Sequence, residues 1–303
     1  MADINGYKLK GELRTTNSGF SRWGFAEKNG KDVFIKELID PVYPVHEELL
    51  SAEAVRRKKE ICRAFEDRWR TIFEMVNECS DGNLVHIEDF FRYESHYYII
   101  MEKIDAVPAE EVLTLRVEDR ERICRVLVHA LGGLHRRGLV HSDLKLDNIL
   151  FRRLPSGKIT AKVIDFDNCF PENQPPEPTE EIFGDLVYMA PETFMMMQTE
   201  SGRLTRAIDV FALGIIFHQV FTGQSPAFDS SRFDYPFESA LEGQPLQISA
   251  SIPDPWKQII AGMLRPIPET RMSLEEAESI LRNTVRPAPA AETGAFLAPA
   301  GDL

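Results

Sequence analysis

The chain has 303 residues, 43% of them hydrophobic, and a formal net charge of -13. That length suits one large domain or two lobes sharing a cleft. The acidic balance excludes broad nucleic-acid binding, which needs a basic surface, and it complements a basic partner. The four cysteines, Cys62, Cys79, Cys124 and Cys169, form no CxxC pair, which argues against a zinc knuckle or a dithiol redox centre and fits a reducing compartment. MADINGYKLKGEL at the start has no apolar signal core, and no apolar run approaches the ~20 residues that cross a bilayer. The expectation is a cytoplasmic protein that binds neither nucleic acid nor membrane.

In chain order, residues 7–36 alternate short β-like runs with Gly and Asn turns, and KNGK at 28–31 reads as a hairpin between two strands. A long charged helix follows over roughly 46–78, with Leu49, Ile61, Phe65, Trp69, Ile72 and Phe73 at helical spacing. Strands are predicted at 84–91 and 96–104. The pattern then turns helical over 109–137, where Ile123, Leu127, Leu131 and Leu134 form one stripe and Gly138 is a stop signal. Short strands at 139–141, 149–152 and 161–164 surround polar loops. PENQPPEPTEE, 171–181, is too rich in Pro and Glu for regular structure. Helices resume at about 206–222, 254–264 and 273–283, and VRPAPAAETGAFLAPAGDL reads as a disordered tail.

The chemistry concentrates at HSDLKLDNIL, 141–150, and VIDFD, 163–167. A hairpin of the two short strands following and preceding these motifs would bring Asn148 close to Asp165. An amide and a carboxylate offer hard oxygen donors, suited to Mg²⁺ carried in on phosphates. Asp143 stands apart and could take a proton from an attacking hydroxyl, and Lys145 could offset charge on a phosphoryl group in transfer.

These motifs carry a resemblance. HSDLKLDN resembles the HRDLKxxN catalytic loop of the eukaryotic-type protein kinases, and IDFD resembles their DFG metal motif. FGDLVYMAPE (183–192) is similar to the end of their activation segment and DVFALG (209–214) to the start of a buried helix. Pro268, Glu269, Arg271 and Met272 resemble the closing motif, and FIKE puts Lys36 at the phosphate-anchoring lysine. The motifs keep the family's order over roughly 10–283. The resemblance implies an α+β, two-lobed protein-kinase fold: a small antiparallel β-rich N-lobe with one long helix at 7–104, a larger mostly helical C-lobe at 105–284, and the tail at 285–303. It implies transfer of the γ-phosphoryl group of ATP, with Mg²⁺ or Mn²⁺, to Ser or Thr hydroxyls of a protein substrate. Asp143 would be the base, Lys145 would touch the γ-phosphate, and Asn148 and Asp165 would hold metal. Lys36 would hold the α/β-phosphates and pair with a helix glutamate: Glu53, Glu60, Glu66 and Glu74 are candidates, and Glu66 is favoured. Gly19 would belong to the phosphate loop, Met101 would back the adenine pocket, and Glu102 and Ile104 would offer backbone to adenine. His141 and Phe166 would pack below the site, Glu192 and Arg271 would pair, and Asp209 would brace the catalytic loop.

The departures from the pattern matter. In NSGFSRWGFA only Gly19 fits the glycine loop, and Trp23 is bulky for a loop over phosphates. Ser142 replaces the arginine that normally meets an activation-segment phosphate, and Thr179 is the one hydroxyl residue of that segment short of Tyr188. Activity independent of that phosphorylation is therefore expected. Asp167 replaces the glycine of DFG, where an Asp tolerates left-handed backbone or could add a metal ligand. Asp185 replaces a threonine near the base, where it could bond Lys145 and would repel Asp143. Two other classes fit part of the pattern: small-molecule kinases like the aminoglycoside and choline phosphotransferases, and non-catalytic kinase-like scaffolds. Lys145, the APE triplet, DVFALG and Arg271 stand against the first; Lys36, Asp143, Asn148 and Asp165 stand against the second.

Overall fold

Alternating residues and one Asn-Gly turn build the N-terminal half. The structure, a computed structural model, describes residues 2–15, 21–177 and 184–284; Gly19, Thr179 and the tail 285–303 lie outside them. Strands β1 (Asp3–Ile4), β2 (Tyr7–Leu9), β3 (Arg14–Thr15), β4 (Ser21–Lys28), β5 (Lys31–Leu38), β6 (Ile87–Tyr93) and β7 (His96–Glu102) form one sheet in the order β1-β2-β4-β5-β7-β6, with β3 on β4. The 28–31 hairpin is present: Lys28 pairs with Lys31 across Asn29 (φ 55) and Gly30 (φ 79), both in the left-handed region that a tight two-residue turn needs.

Register then separates the sheet's faces. Trp23, Lys36 and Ile99 form one row, and Phe25, Phe34 and Met101 the next. Directly opposed residues share a face, as do residues two apart, so these six point the same way. Ile99 and Met101 join the main core, whereas Ala26, Val33, Ile35, Tyr98 and Ile100 form a separate cluster with Ile4, Tyr7 and Leu9. The Lys36 face is thus the one turned toward the rest of the molecule.

Helix α1 (Ala52–Cys79) packs beside this sheet. It starts later than its sequence pattern predicts because Ser51 caps it, accepting the Ala54 N–H at 3.2 Å. Its buried stripe is Val55, Cys62, Trp69, Ile72, Phe73 and Val76. Leu49 falls in a separate 3₁₀ turn and is 77% exposed, and Ile61 is 50% exposed, so neither belongs to the stripe. Phe65 sits 5.0 Å from Tyr97 and Phe73 5.5 Å from Phe90, tying helix to sheet through rings.

The second half is mostly helical. After β8 (Ala106–Val107) come α2 (Ala109–Leu113) and α3 (Val117–Arg136), whose Ile123, Leu127, Leu131 and Leu134 are all fully buried. Gly138 at φ 71 ends that helix as expected. Then follow β9 (Leu139–Val140), β10 (Ile149–Arg153), β11 (Ile159–Val163) and β12 (Phe170–Pro171), the last pairing with β9 at the head of the Pro-rich stretch. Helices α4 (Pro191–Thr199), α5 (Ala207–Thr222), α6 (Pro236–Leu241), α7 (Trp256–Met263) and α8 (Leu274–Asn283) complete the described chain. Helix α5 is buried on nearly every side and is the axis of the C-terminal core. The result is the expected α+β, two-lobed architecture. Helices α4 and α6 are absent from the sequence reading; both begin at a proline, which suits the first helical position as well as it suits a loop.

Candidate active site

The loop between β9 and β10 carries His141–Asn148, and its shape is set from beneath. Asp209, at the start of α5, accepts the backbone N–H of His141 and of Ser142, each at 2.8 Å, and His135 lies 2.9 Å away on the same carboxylate. These bonds hold Ser142 at φ 72, a left-handed conformation costly for a non-glycine residue. The His141 ring is fully buried, 3.2 Å from the Ile164 carbonyl and packed on Phe166 at 5.1 Å.

Above this brace lies Asp143, nearly buried. Its Oδ2 accepts from Lys145 Nζ at 3.0 Å and from Asn148 Nδ2 at 3.1 Å, and Asn148 also donates to the Asp143 carbonyl at 2.8 Å. Among the described residues Oδ1 has no hydrogen-bond partner. The β10–β11 hairpin pairs Ile149 with Val163, and Ile164 N–H donates to the Asn148 carbonyl at 2.9 Å, so Asn148 and the Asp165 segment are neighbours.

Asp165 stands at φ 64. The left-handed residue of this motif is therefore Asp165, where the sequence pointed to Asp167. Its Oδ1 accepts from Lys36 Nζ at 2.9 Å, and Asp167 Oδ2 lies 2.5 Å from the same nitrogen. Burial pulls the Lys36 pKa down, but Asp167 and Asp165 outweigh it and hold it above the ordinary lysine value. Burial also raises the Asp165 carboxyl, yet Lys36 leaves it below the usual carboxylate range. Asp167 moves the other way: burial and the Asp165 charge push it up to about 6 against the pull of Lys36.

The expected Lys36–Glu66 pair is not formed here. Glu66 Oε1 accepts the Tyr97 hydroxyl at 2.8 Å, and Glu66 makes no ion pair among the described residues. A tyrosine on the adjacent strand satisfies it, a partner that helix periodicity cannot reveal. Burial and this bond raise the Tyr97 hydroxyl's pKa.

Trp23 also departs from expectation. It lies in β4, not in a loop, stacked on Phe34 at 5.7 Å with planes 16° apart, and Phe25 meets Phe34 edge-on at 5.9 Å. Sheet register makes this aromatic row continuous with Lys36 and Met101. Met101 and Ile104 are half-buried against the main core. The Glu102 N–H donates to the His86 carbonyl at 3.1 Å, and its side chain pairs with Lys162. Asp185 lines one cavity with Asp143 and Gly184, but its Oδ1 accepts the Val187 N–H at 2.9 Å and forms no pair with Lys145 among the described residues. Arg271 and Glu192 make a two-pronged pair at 2.6 and 2.9 Å, with Arg271 fully buried.

The protein kinase domain family matches residues 50–282. The chain is 31% identical over 163 residues to "Probable serine/threonine-protein kinase PknB" of Lactococcus lactis (strain IL1403), covering 52% of this chain and 24% of that protein. It is 28% identical over 164 residues to serine/threonine-protein kinase PrkC of Bacillus subtilis (strain 168), covering 52% and 24%. It is 27% identical over 206 residues to serine/threonine-protein kinase ste20 of Emericella nidulans, covering 67% and 23%. The chain thus spans about a quarter of the length of these relatives. With a braced loop bearing Asp143, an adjoining Asn148–Asp165 pair and a match over most of its length, the chain belongs to the protein kinase domain family.

Proposed function

We propose that this chain transfers the γ-phosphoryl group of ATP to Ser or Thr hydroxyls of a protein substrate. The observation that carries the reading is Asp143. One carboxylate oxygen is tied to Lys145 and Asn148, which fixes the side chain, and the other is without a partner among the described residues. A hydroxyl hydrogen-bonded to that second oxygen could pass its proton to it as the oxygen attacks phosphorus. Lys145, 3.0 Å from the same carboxylate, would offset negative charge on the phosphoryl group as it moves.

The donors fit a hard cation. Asn148 spends its NH₂ on Asp143, which turns its amide oxygen away, and with Asp165 this makes an all-oxygen pair suited to Mg²⁺ or Mn²⁺. A cation held there would neutralise phosphate charge. Lys36 would bind phosphate oxygens, the Trp23–Phe25–Phe34 row would face the purine, and Met101 with the backbone of Glu102–Ile104 would border it. Gly19 would lie in the phosphate loop. The names of the curated relatives support Ser or Thr as acceptor, and the acidic charge of this chain favours a basic protein.

Ser142 leaves no arginine beside Asp143 to receive an activation-segment phosphate, so activity would not depend on phosphorylation of Thr179. The test is phosphosite mapping on a basic generic protein substrate after incubation with ATP and Mg²⁺, with wild type and Thr179→Ala run together. Phosphoserine or phosphothreonine from both is expected. Phosphate found only on small hydroxyl compounds would replace this reading with a metabolite kinase, and a Thr179→Ala protein without activity would refute the independence from Thr179.

A further inference from the structure

We infer that Asp167 takes the place of a helix glutamate as the residue that positions Lys36 for phosphate binding, an inference resting on the function proposed above. Lys36 is almost fully buried on β5 and its ammonium has three protons to place. Two go to Asp165 at 2.9 Å and Asp167 at 2.5 Å. Asp165 has a second duty as a cation ligand, so a lysine anchored by Asp165 alone would lose its anchor when the site is loaded. The Asn148–Asp165 pair proposed for the cation does not include Asp167, whose carboxylate stays with Lys36. Among the described residues its carboxylate is paired with Lys36, and the third ammonium proton remains for a phosphate oxygen.

The usual alternative is already engaged. Glu66 accepts from Tyr97 at 2.8 Å, and its helix is tied to the sheet through Phe65, Phe73, Phe90 and Tyr97. Moving Glu66 to Lys36 would break that bond and disturb the packing around Phe65. A glycine at this position, as in the DFG motif that this stretch resembles, would bring no side chain to Lys36.

The experiment compares wild type, Asp167→Asn, Asp167→Glu and Glu66→Gln in two assays: binding of ATP without divalent metal, and kcat and KM for ATP with Mg²⁺. Asp167→Asn keeps the shape and removes the charge. It should raise the metal-free Kd and the KM for ATP each by about tenfold, the low end for one hydrogen bond to a charged group, with kcat changed less than KM and the thermal midpoint unmoved. Asp167→Glu should recover part of the loss, because a carboxylate is restored within reach. Glu66→Gln should stay within about twofold of wild type in both assays. Wild-type values for Asp167→Asn, or a larger loss in Glu66→Gln, would overturn the inference while leaving the kinase reading intact. A wild type that binds no ATP would overturn both.

Discussion

His218 illustrates how one buried side chain ties stability to pH. Its Nε2 accepts the Ser249 N–H at 3.1 Å and its Nδ1 sits 2.6 Å from the Gln224 carbonyl, so the ring is neutral with its proton on Nδ1. Burial lowers its pKa, opposed only in part by that carbonyl. The unfolded chain therefore takes up a proton at higher pH than the folded one. Stability from this site is complete above the ordinary histidine value and is lost as pH falls through it toward the lowered native value. The thermal midpoint should drop on going from about pH 7.5 to about pH 5.5, and a glutamine at 218 should shrink that drop; an undiminished drop would assign it to other groups. Arg271 poses the complementary case of a buried charge with every arm engaged: it also donates to the carbonyls of Ala207, Arg265 and Pro266. Arg271→Ala would strand Glu192 and cost about 3–5 kcal/mol, read as a shift of the urea midpoint, and a loss under about 1 kcal/mol would show that water reaches the pair. Lys36 meets Asp165 and Asn148 meets Asp143, and the motifs that carry these four residues were legible because their spacing is local. Partners across the fold were not: Tyr97 for Glu66, and Asp167 for Lys36, depend on which strand lies beside which helix.

Elements follow the same division between local and distant causes. The Asn29–Gly30 turn and the α3 stripe ending at Gly138 are encoded within a few residues and match the sequence reading. The start of α1 is set by one capping serine, which leaves Leu49 outside the helix, whereas Ile61 lies within it on the exposed side. Capping is equally readable in α8, where Ser273 Oγ accepts the Glu276 N–H at 3.2 Å and Glu276 accepts the Ser273 N–H at 2.7 Å. Ser273→Ala should cost about 1 kcal/mol, measured by urea unfolding, with activity per folded molecule unchanged; no cost would mean that α8 is held by packing alone. Leu131 offers a test of the α3 stripe, being fully buried in the main core. Leu131→Ala should cost about 2–5 kcal/mol, and a cost near zero would contradict its place there.

At the scale of the whole molecule, Lys36 on β5 is joined by ion pairs to Asp165 and Asp167, just after β11, and the β10–β11 hairpin sets that segment beside the loop bearing Asp143 and Asn148. No helix among the described residues is long and apolar enough to cross a membrane. The two-lobed class was legible because its motifs fall in order along the chain; the aromatic lining beside Lys36 was not, since it emerges only when β4 and β5 are put in register. Asp143 is proposed to receive the proton in phosphoryl transfer. The most direct test of that role is intact-mass measurement of a protein substrate after incubation with ATP and Mg²⁺, comparing wild type with Asp143→Asn at matched nucleotide occupancy. Wild type should add phosphate, and the variant should do so at a rate at least about 100-fold lower while still binding ATP. Equal rates from the two proteins would contradict that role.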